Sequence, residues 1–381
     1  MSAKIKIIAD SKIPFLKGVL DNASNIEYAA PSEITKEKVK DADALIVRTR
    51  TKCNEDLLAG SNVKFIATAT IGFDHIDTKY CDSKNIKWVN APGCNSSSVR
   101  QYIASALLTL AAMKNLDLSR MTIGIIGVGN VGSKVASLSE ILGLKVLLND
   151  PPRERTEGKE KFVSLDKLIS ESDIITFHVP LNKAGIDKTF HMADESFFSR
   201  LKGEKILFNS SRGEVIETNA IKNALKKRTI SAALLDVWEN EPEIDRELLH
   251  LVDIATPHIA GYSADGKANG TSVCVKEISS FFGLGIDSDW YPENVPSPES
   301  GKYLEFNCAG KSLQEILKEI ICATYEILKD DSNLRTSVET FEKQRNTYPV
   351  RREFSFYSVK LLNSNSEIDL KVSRLGFNLI K

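Results

Sequence analysis

Apolar residues in the first ninety positions come in short β-rich runs: KIKIIA at 4–9, ALIV at 44–47, KFIATA at 64–69 and IKWV at 86–89. Helix-compatible segments lie between them, and this rhythm predicts a parallel sheet covered by helices on both faces. A polar cluster, NSSS at 95–98, then precedes Val99, Tyr102, Ile103, Ala106, Leu107, Leu110 and Ala111. Those residues recur at the helical period. Ser98 and Gln101 fit a capping box at the start of this helix, which reads as a crossing between domains. A second alternating region follows, with strands expected in TIGIIG (122–127), KVLLN (145–149), DIITF (173–177), KILFN (205–209) and SAALLD (231–236), and DIAT (253–256) as a possible sixth. After Phe282 the character changes, and WYPENVPSPESG at 290–301 has the composition of a linker. The last eighty residues predict a helix over 313–328 and an alternating tail over 354–372, a small accessory α/β domain. The expected class is therefore α/β, with two doubly wound parallel-sheet (Rossmann/flavodoxin-like) domains and a small C-terminal α/β domain.

Composition narrows the partners. The chain has 381 residues, which suggests two or three domains. Fifty basic residues balance 51 acidic ones, so no global field points to nucleic acid or a membrane surface. A bound anion must be held by a local cluster. None of the six cysteines forms a C-x-x-C pair or a zinc-like spacing with histidine, which reads as reduced thiols in a cytoplasmic protein and no metal site. The N-terminus lacks a signal peptide's apolar stretch, and the best apolar run, Ile103 to Met113, is about half the length that spans a bilayer.

Gly127-Val128-Gly129-Asn130-Val131-Gly132 follows the strand run TIGII and opens a helical pattern over 130–142. In that context the three glycines have separate tasks: a tight turn, close approach of pyrophosphate to backbone, and helix–strand packing. The helix start supplies unpaired N–H groups and a positive dipole end. Asp150, after the next strand, suits the ribose hydroxyls of NAD and repels the 2′-phosphate of NADP, although Arg153 and Arg155 nearby suit that phosphate.

Three further segments sit at expected carboxyl ends of strands, where open α/β sheets bind ligands: NSSRG (209–213), DVWENEP (236–242) and TPHIAGY (256–262). Oxidation of a 2-hydroxy acid needs a planar cation for the carboxylate, a group that takes the hydroxyl proton, and a carboxylate that orients it. Arg212, His258 and Glu241 suit these roles, though Glu239 and Glu243 lie in the same acidic stretch and spacing alone does not choose among them. Arg48, Arg50 and Lys52 are candidate anion holders at a strand end, or else a solvated basic edge. Arg351 and Arg352 read as a surface pair, with reach into a partner subunit's site as the alternative.

The glycine-rich turn, SSRG, DVWENEP and TPHIAG, in this order, resemble the D-isomer-specific 2-hydroxyacid dehydrogenases over roughly residues 1 to 283. IIADSKIPF, TATIGFDHID, NAPGCNSSSV, LLNDPPR, PHIAGYSADGKANGT and YPVRREF are similar to one branch of that family, whose substrate is a small phosphorylated 2-hydroxy acid. The resemblance implies that Arg212 binds substrate and that Glu241 pairs with the proton-exchanging His258. It implies that Asn130, Val131, Asp150, Val179, Ser210, Ser211, Asp236 and Gly261 line NAD, and that Thr49, Thr70 and Tyr262 touch substrate. Position 49 is threonine where the family often has serine, which keeps the hydroxyl; Val179 offers only apolar or backbone contact. The implied domains are residues 1–95 with 259–285 for substrate, 96–258 for NAD, and 286–381 for homodimerisation. Two alternatives stay open: another member such as a 3-phosphoglycerate dehydrogenase, and an NADH-sensing binding protein on the same fold.

Overall fold

The computed structural model describes residues 4–380; the expectations that touch 1–3 and 381, at the outer ends of the first and last domains, lie outside the described residues. The chain forms two compact units, Met1–Asn95 with Ser263–Pro296, and Ser96–Tyr262 with Ser297–Lys381.

The first unit holds five parallel strands, β1 (Lys6–Asp10), β2 (Asn25–Ala29), β3 (Ala44–Val47), β4 (Phe65–Thr68) and β5 (Lys87–Val89), in the order β2-β1-β3-β4-β5. The central strands β3 and β4 are buried along their whole length, which is why they read as unbroken apolar runs. β2 was missed because it is an edge strand: NIEYA exposes Asn25 and Glu27 and buries only Ala29 fully. The helix Ala264–Phe282 returns to this unit and packs Cys274, Val275 and Ile278 against Ile7, Ala9, Ile46 and Phe65. A Cβ at Gly270 would stand 2.7 Å from the Ala69 carbonyl oxygen, so the glycine of the GKANGT segment lets that helix lie against the end of β4.

The second unit holds six parallel strands, β6 (Thr122–Ile126), β7 (Lys145–Asn149), β8 (Ile174–Phe177), β9 (Lys205–Asn209), β10 (Ile230–Leu235) and β11 (Ile254–Ala255), ordered β11-β10-β9-β8-β6-β7. The winding reverses between β6 and β8, the switch point where such sheets bind ligands. Its opening helix, Ser96–Lys114, is buried on nearly every side. It starts earlier than the capping-box reading allows. Ser98 lies inside it and donates to Glu353 (2.8 Å), while Gln101 donates to Thr324 (3.1 Å) and to the Arg352 carbonyl (3.0 Å). Those two polar residues serve the C-terminal segment, not the helix end.

That segment contributes a parallel sheet of β12 (Tyr303–Asn307), β13 (Ser358–Leu362) and β14 (Asn378–Ile380). Ile316, Leu317, Ile320 and Ile321 join the same apolar core as Leu107 and Leu110. The helix expected over 313–328 is two, Leu313–Thr324 and Ile327–Thr336, interrupted where Tyr325 turns extended. The expected alternating tail is a strand only over Ser358–Leu362; Asn365 then caps a helix, Ser366–Arg374, by accepting from the Ile368 amide. Asp331 accepts from the Ala255 amide (2.7 Å), so the short β11 is finished by a side chain from this segment. No helix among the described residues is long and apolar enough to cross a membrane.

The glycine turn gives a paired test. A Cβ at Gly132 would lie 2.0 Å from the Gly127 carbonyl oxygen, whereas one at Gly129 meets nothing within 4 Å. Gly132→Ala is expected to lose about 1–3 kcal/mol. Gly129→Ala should cost no more than about 1 kcal/mol, the scale of an N-cap change. Urea unfolding of both variants checks this.

Candidate active site

The turn after β6 is shaped by its glycines. Gly127 has φ 87°, and a Cβ there would stand 2.7 Å from both the His178 carbonyl oxygen and Val179 Cγ1. Gly129 caps the helix Asn130–Leu142 with no side-chain hydrogen bond, leaving the helix start open. Asn130 and Val131 begin that helix. Asp150, at the end of β7, accepts from the Val128 amide (2.7 Å) and the Arg153 amide (3.0 Å), which ties the two strand ends together. The arginines that suit a 2′-phosphate have other partners: Arg153 pairs with Glu157 and donates to the Val128 carbonyl, and Arg155 pairs with Asp187. Just past β9, the Ser210 hydroxyl is buried and has no hydrogen-bond partner among the described residues. An uncapped helix start, an open Gly129 and that orphan hydroxyl fit the pyrophosphate and ribose of NAD. His178, beside Val179, is pushed down to about 3 by burial and stays neutral, its Nε2 3.0 Å from the Thr176 hydroxyl.

The three loops at the ends of β9, β10 and β11 interlock. Asn209 Oδ1 accepts from the Ser211 amide (3.0 Å) and hydroxyl (2.8 Å), and its Nδ2 donates to the Arg212 carbonyl (2.9 Å). Gly213 lets this turn press on the next loop, since a Cβ there would fall 2.0 Å from the Trp238 carbonyl. The Trp238 indole N–H donates to the Thr256 carbonyl (3.0 Å) and its amide donates to Glu241 Oε1 (2.9 Å). Glu241 Oε2 then stands 2.7 Å from His258 Nδ1. Burial pushes the Glu241 carboxyl up, but the His258 ring, the Trp238 amide and the charge of Arg345 hold it below its ordinary value. The acid that spacing left open is thereby chosen: Glu239 pairs with His191 (2.6 Å), and Glu241 with His258.

His258 has φ 55°, a left-handed conformation that costs a non-glycine residue energy and persists only where its surroundings enforce it. Asp236 supplies the restraint. Its carbonyl accepts from the His258 amide (2.7 Å), and its buried carboxylate accepts from the Thr256 hydroxyl (2.6 Å) and the amides of Ile259 (2.8 Å) and Ala260 (2.9 Å). The Asp236 side chain, expected along the cofactor, is thus directed into this loop. Tyr262 closes the loop, its ring 5.8 Å from that of Tyr348 at 86°.

Arg351 departs from expectation. It is 4% exposed, and its Nη2 donates to the carbonyls of Ile259 (3.2 Å) and Ala260 (2.6 Å) of its own chain. Arg352 stacks over Phe356, 4.1 Å from the ring centre. The pair is neither a solvated surface feature nor, for Arg351, free to reach a partner subunit. Sequence reading also passed over Asn209 and Arg345, whose guanidinium carbon lies 5.8 Å from the Tyr262 ring centre. Asn209 was legible as an asparagine at a strand end; Arg345 carried no spacing signal.

In the first unit, Arg48 donates through Nε and Nη2 to the buried Asp10 (2.8 and 3.3 Å). Thr49 is exposed, as are Arg50 and Lys52. Thr70 shares a hydrogen bond with Thr68 (2.8 Å), which meets His75 Nε2 (3.1 Å); burial pushes His75 down to about 4, so its ring is neutral. Cys94 is half-buried and forms no disulfide among the described residues, and its carbonyl accepts from Asn269 (2.8 Å).

Fold and site geometry together define a 2-hydroxyacid dehydrogenase. Residues 98–260 match the D-isomer specific 2-hydroxyacid dehydrogenase, NAD binding domain, and residues 299–376 match a domain of unknown function, DUF3410. The chain belongs to the erythronate-4-phosphate dehydrogenases of that class. It is 52% identical to erythronate-4-phosphate dehydrogenase of Bacteroides thetaiotaomicron over 93% of its length and 99% of that protein. It is 39% identical to the enzyme of the same name from Proteus mirabilis, over 98% and 99%. Among solved structures it resembles D-lactate dehydrogenase from Aquifex aeolicus in complex with NAD and lactic acid, with TM-score 0.63, 30% identity and coverage of 73% and 95%.

Because Glu241 titrates below its ordinary 4.5, it contributes stability at neutral pH that is lost as pH falls through its lowered pKa. Glu241→Gln should flatten the fall in unfolding free energy below pH 4.5. It should also cut turnover by about 10²–10⁴, the scale of general acid–base catalysis. Denaturant titrations across pH and steady-state assays check both effects.

Proposed function

We propose that this chain oxidises 4-phospho-D-erythronate to 3-hydroxy-2-oxo-4-phosphooxybutanoate, reducing NAD, in vitamin B6 synthesis. The observation that carries the reading is 52% identity across 99% of a relative bearing that activity in its name. Arg212 binds the substrate carboxylate and polarises the 2-hydroxyl. His258 takes the hydroxyl proton on Nε2, because Nδ1 faces Glu241. Glu241 fixes that ring and favours its charged form while the proton is held. Gly127, Gly129, Gly132, Asn130, Val131, Asp150, Val179, Ser210, Ser211 and Gly261 form the NAD site, with Asp236 acting through the loop it holds. NAD, when bound, supplies the hydride acceptor. Arg48, Thr49, Thr70 and Tyr262 complete the substrate contacts, Arg48 being aimed by Asp10.

In this reading residues 1–95 with 259–285 serve the substrate, 96–258 the cofactor, and 286–381 homodimerisation. Exposed Leu362, Leu370, Leu379 and Ile380 support the last role by leaving apolar surface on the C-terminal segment. Cysteines that form no disulfide among the described residues support a cytoplasmic setting.

NADH formation with 4-phospho-D-erythronate, 3-phosphoglycerate and D-lactate, each with and without a 2-oxo acid to recycle held cofactor, tests the substrate. A preference of at least about 100-fold in kcat/KM, near 3 kcal/mol, is expected for the phosphoerythronate; equal or better use of another acid would reject it. Arg212→Ala should abolish nearly all turnover while NADH still binds, and activity within a few-fold of wild type would remove the assigned role. Light scattering at micromolar concentration should give a dimer.

A further inference from the structure

The loop that carries His258 is gripped from two sides. On one side Asp236 accepts the amides of Ile259 and Ala260. On the other, Arg351 donates a single nitrogen to the carbonyls of the same two residues. The Ile259–Ala260 peptide is therefore bound at its N–H by a buried carboxylate and at its C=O by a buried guanidinium, and the peptides on either side are each bound by one of them. Arg351 belongs to the C-terminal segment, ninety-two positions beyond Ile259, and is itself locked in place. Its guanidinium carbon sits 4.4 Å from the Tyr325 ring centre and 5.8 Å from that of Tyr348. The hydroxyls of those two tyrosines both donate to Asp330 Oδ2, at 2.9 and 2.7 Å. Tyr348 also meets Tyr262 edge-to-face, so the same C-terminal stretch touches both the middle and the end of the loop.

We infer that Arg351 is a positioning residue for the hydride-transfer reaction: the C-terminal segment uses it to hold the His258 loop in its left-handed, reactive conformation. The inference rests on His258 being the proton acceptor. Asp236 takes only donors from this loop, the Thr256 hydroxyl and the amides of His258, Ile259 and Ala260, so the carbonyls that follow His258 are held by Arg351. Arginine suits the position because its flat cation stacks on Tyr325 while its terminal nitrogen offers one hydrogen to each carbonyl. Lysine keeps the charge and loses the stack, and methionine keeps the bulk and loses both hydrogen bonds.

The test combines Arg351→Lys and Arg351→Met in the full-length chain. Arg351→Met is expected to lower kcat at least tenfold with the NADH dissociation constant within twofold of wild type, and Arg351→Lys to recover part of that loss. The pH profile of kcat/KM should shift in both, because the His258–Glu241 geometry is what changes. Amide hydrogen exchange, which needs no substrate and so separates this inference from the choice of substrate, should speed up over residues 257–262 and stay unchanged in the helix Asn130–Leu142. Wild-type kcat and pH profile in a folded Arg351→Met would overturn the inference. If that variant does not fold, unchanged protection of 257–262 in Arg351→Lys would overturn it equally.

Discussion

The buried carboxylate of Asp236 is the constraint on which the site depends. A carboxylate removed from water is costly unless donors surround it, and here a hydroxyl and two amides do so. All three donors come from the segment 256–260, so satisfying the charge and shaping the loop are one event. Burial pushes the Asp236 carboxyl up, and the hydrogen bonds from Thr256, Ile259 and Ala260 oppose that rise. The strained backbone at His258 is maintained by this arrangement, and the pairing with Glu241 follows from it.

Interlocking of three strand ends explains why the motifs sit where they do. Gly213 allows the turn bearing Arg212 to meet the Trp238 backbone, and Trp238 joins Glu241 to Thr256. Each of the three chemical groups thus comes from a different loop, yet each loop is fastened to the next by a backbone contact or hydrogen bond. A rigid frame of this kind reduces the reorganisation needed when charge moves during reaction.

Much of the fold was legible because buried parallel strands announce themselves as apolar runs. Five strands of the six-stranded sheet fall within their expected runs, as do β3, β4 and β5, while β1 and β10 match theirs to within one residue. β2 escaped because an edge strand with Asn25 and Glu27 lacks that signature. The C-terminal segment was the least legible part. Its helix breaks at Tyr325 because the tyrosine is drawn into a buried polar cluster with Asp330, a tertiary effect with no local signal. Ser98 and Gln101 look like a cap and are instead donors to distant residues. Two adjacent arginines suggest a solvated surface, yet Arg351 is buried because backbone carbonyls 91 and 92 positions away accept from it. At the site, residue types indicated a cation, a base and an acid; spacing did not choose between Glu239 and Glu241, the resemblance pointed to Glu241, and the structure sets Glu241 beside His258 and Glu239 beside His191.

In the proposed reaction a hydride leaves the carbinol carbon for NAD while His258 takes the hydroxyl proton. Turnover of 4-phospho-D-erythronate deuterated at C2 measures this most directly, with the cofactor isolated and its isotope content read by mass spectrometry. One deuterium on the nicotinamide ring per turnover, with none released to solvent, is expected. Deuterium washed into water, or product formed with no label on the cofactor, would contradict it.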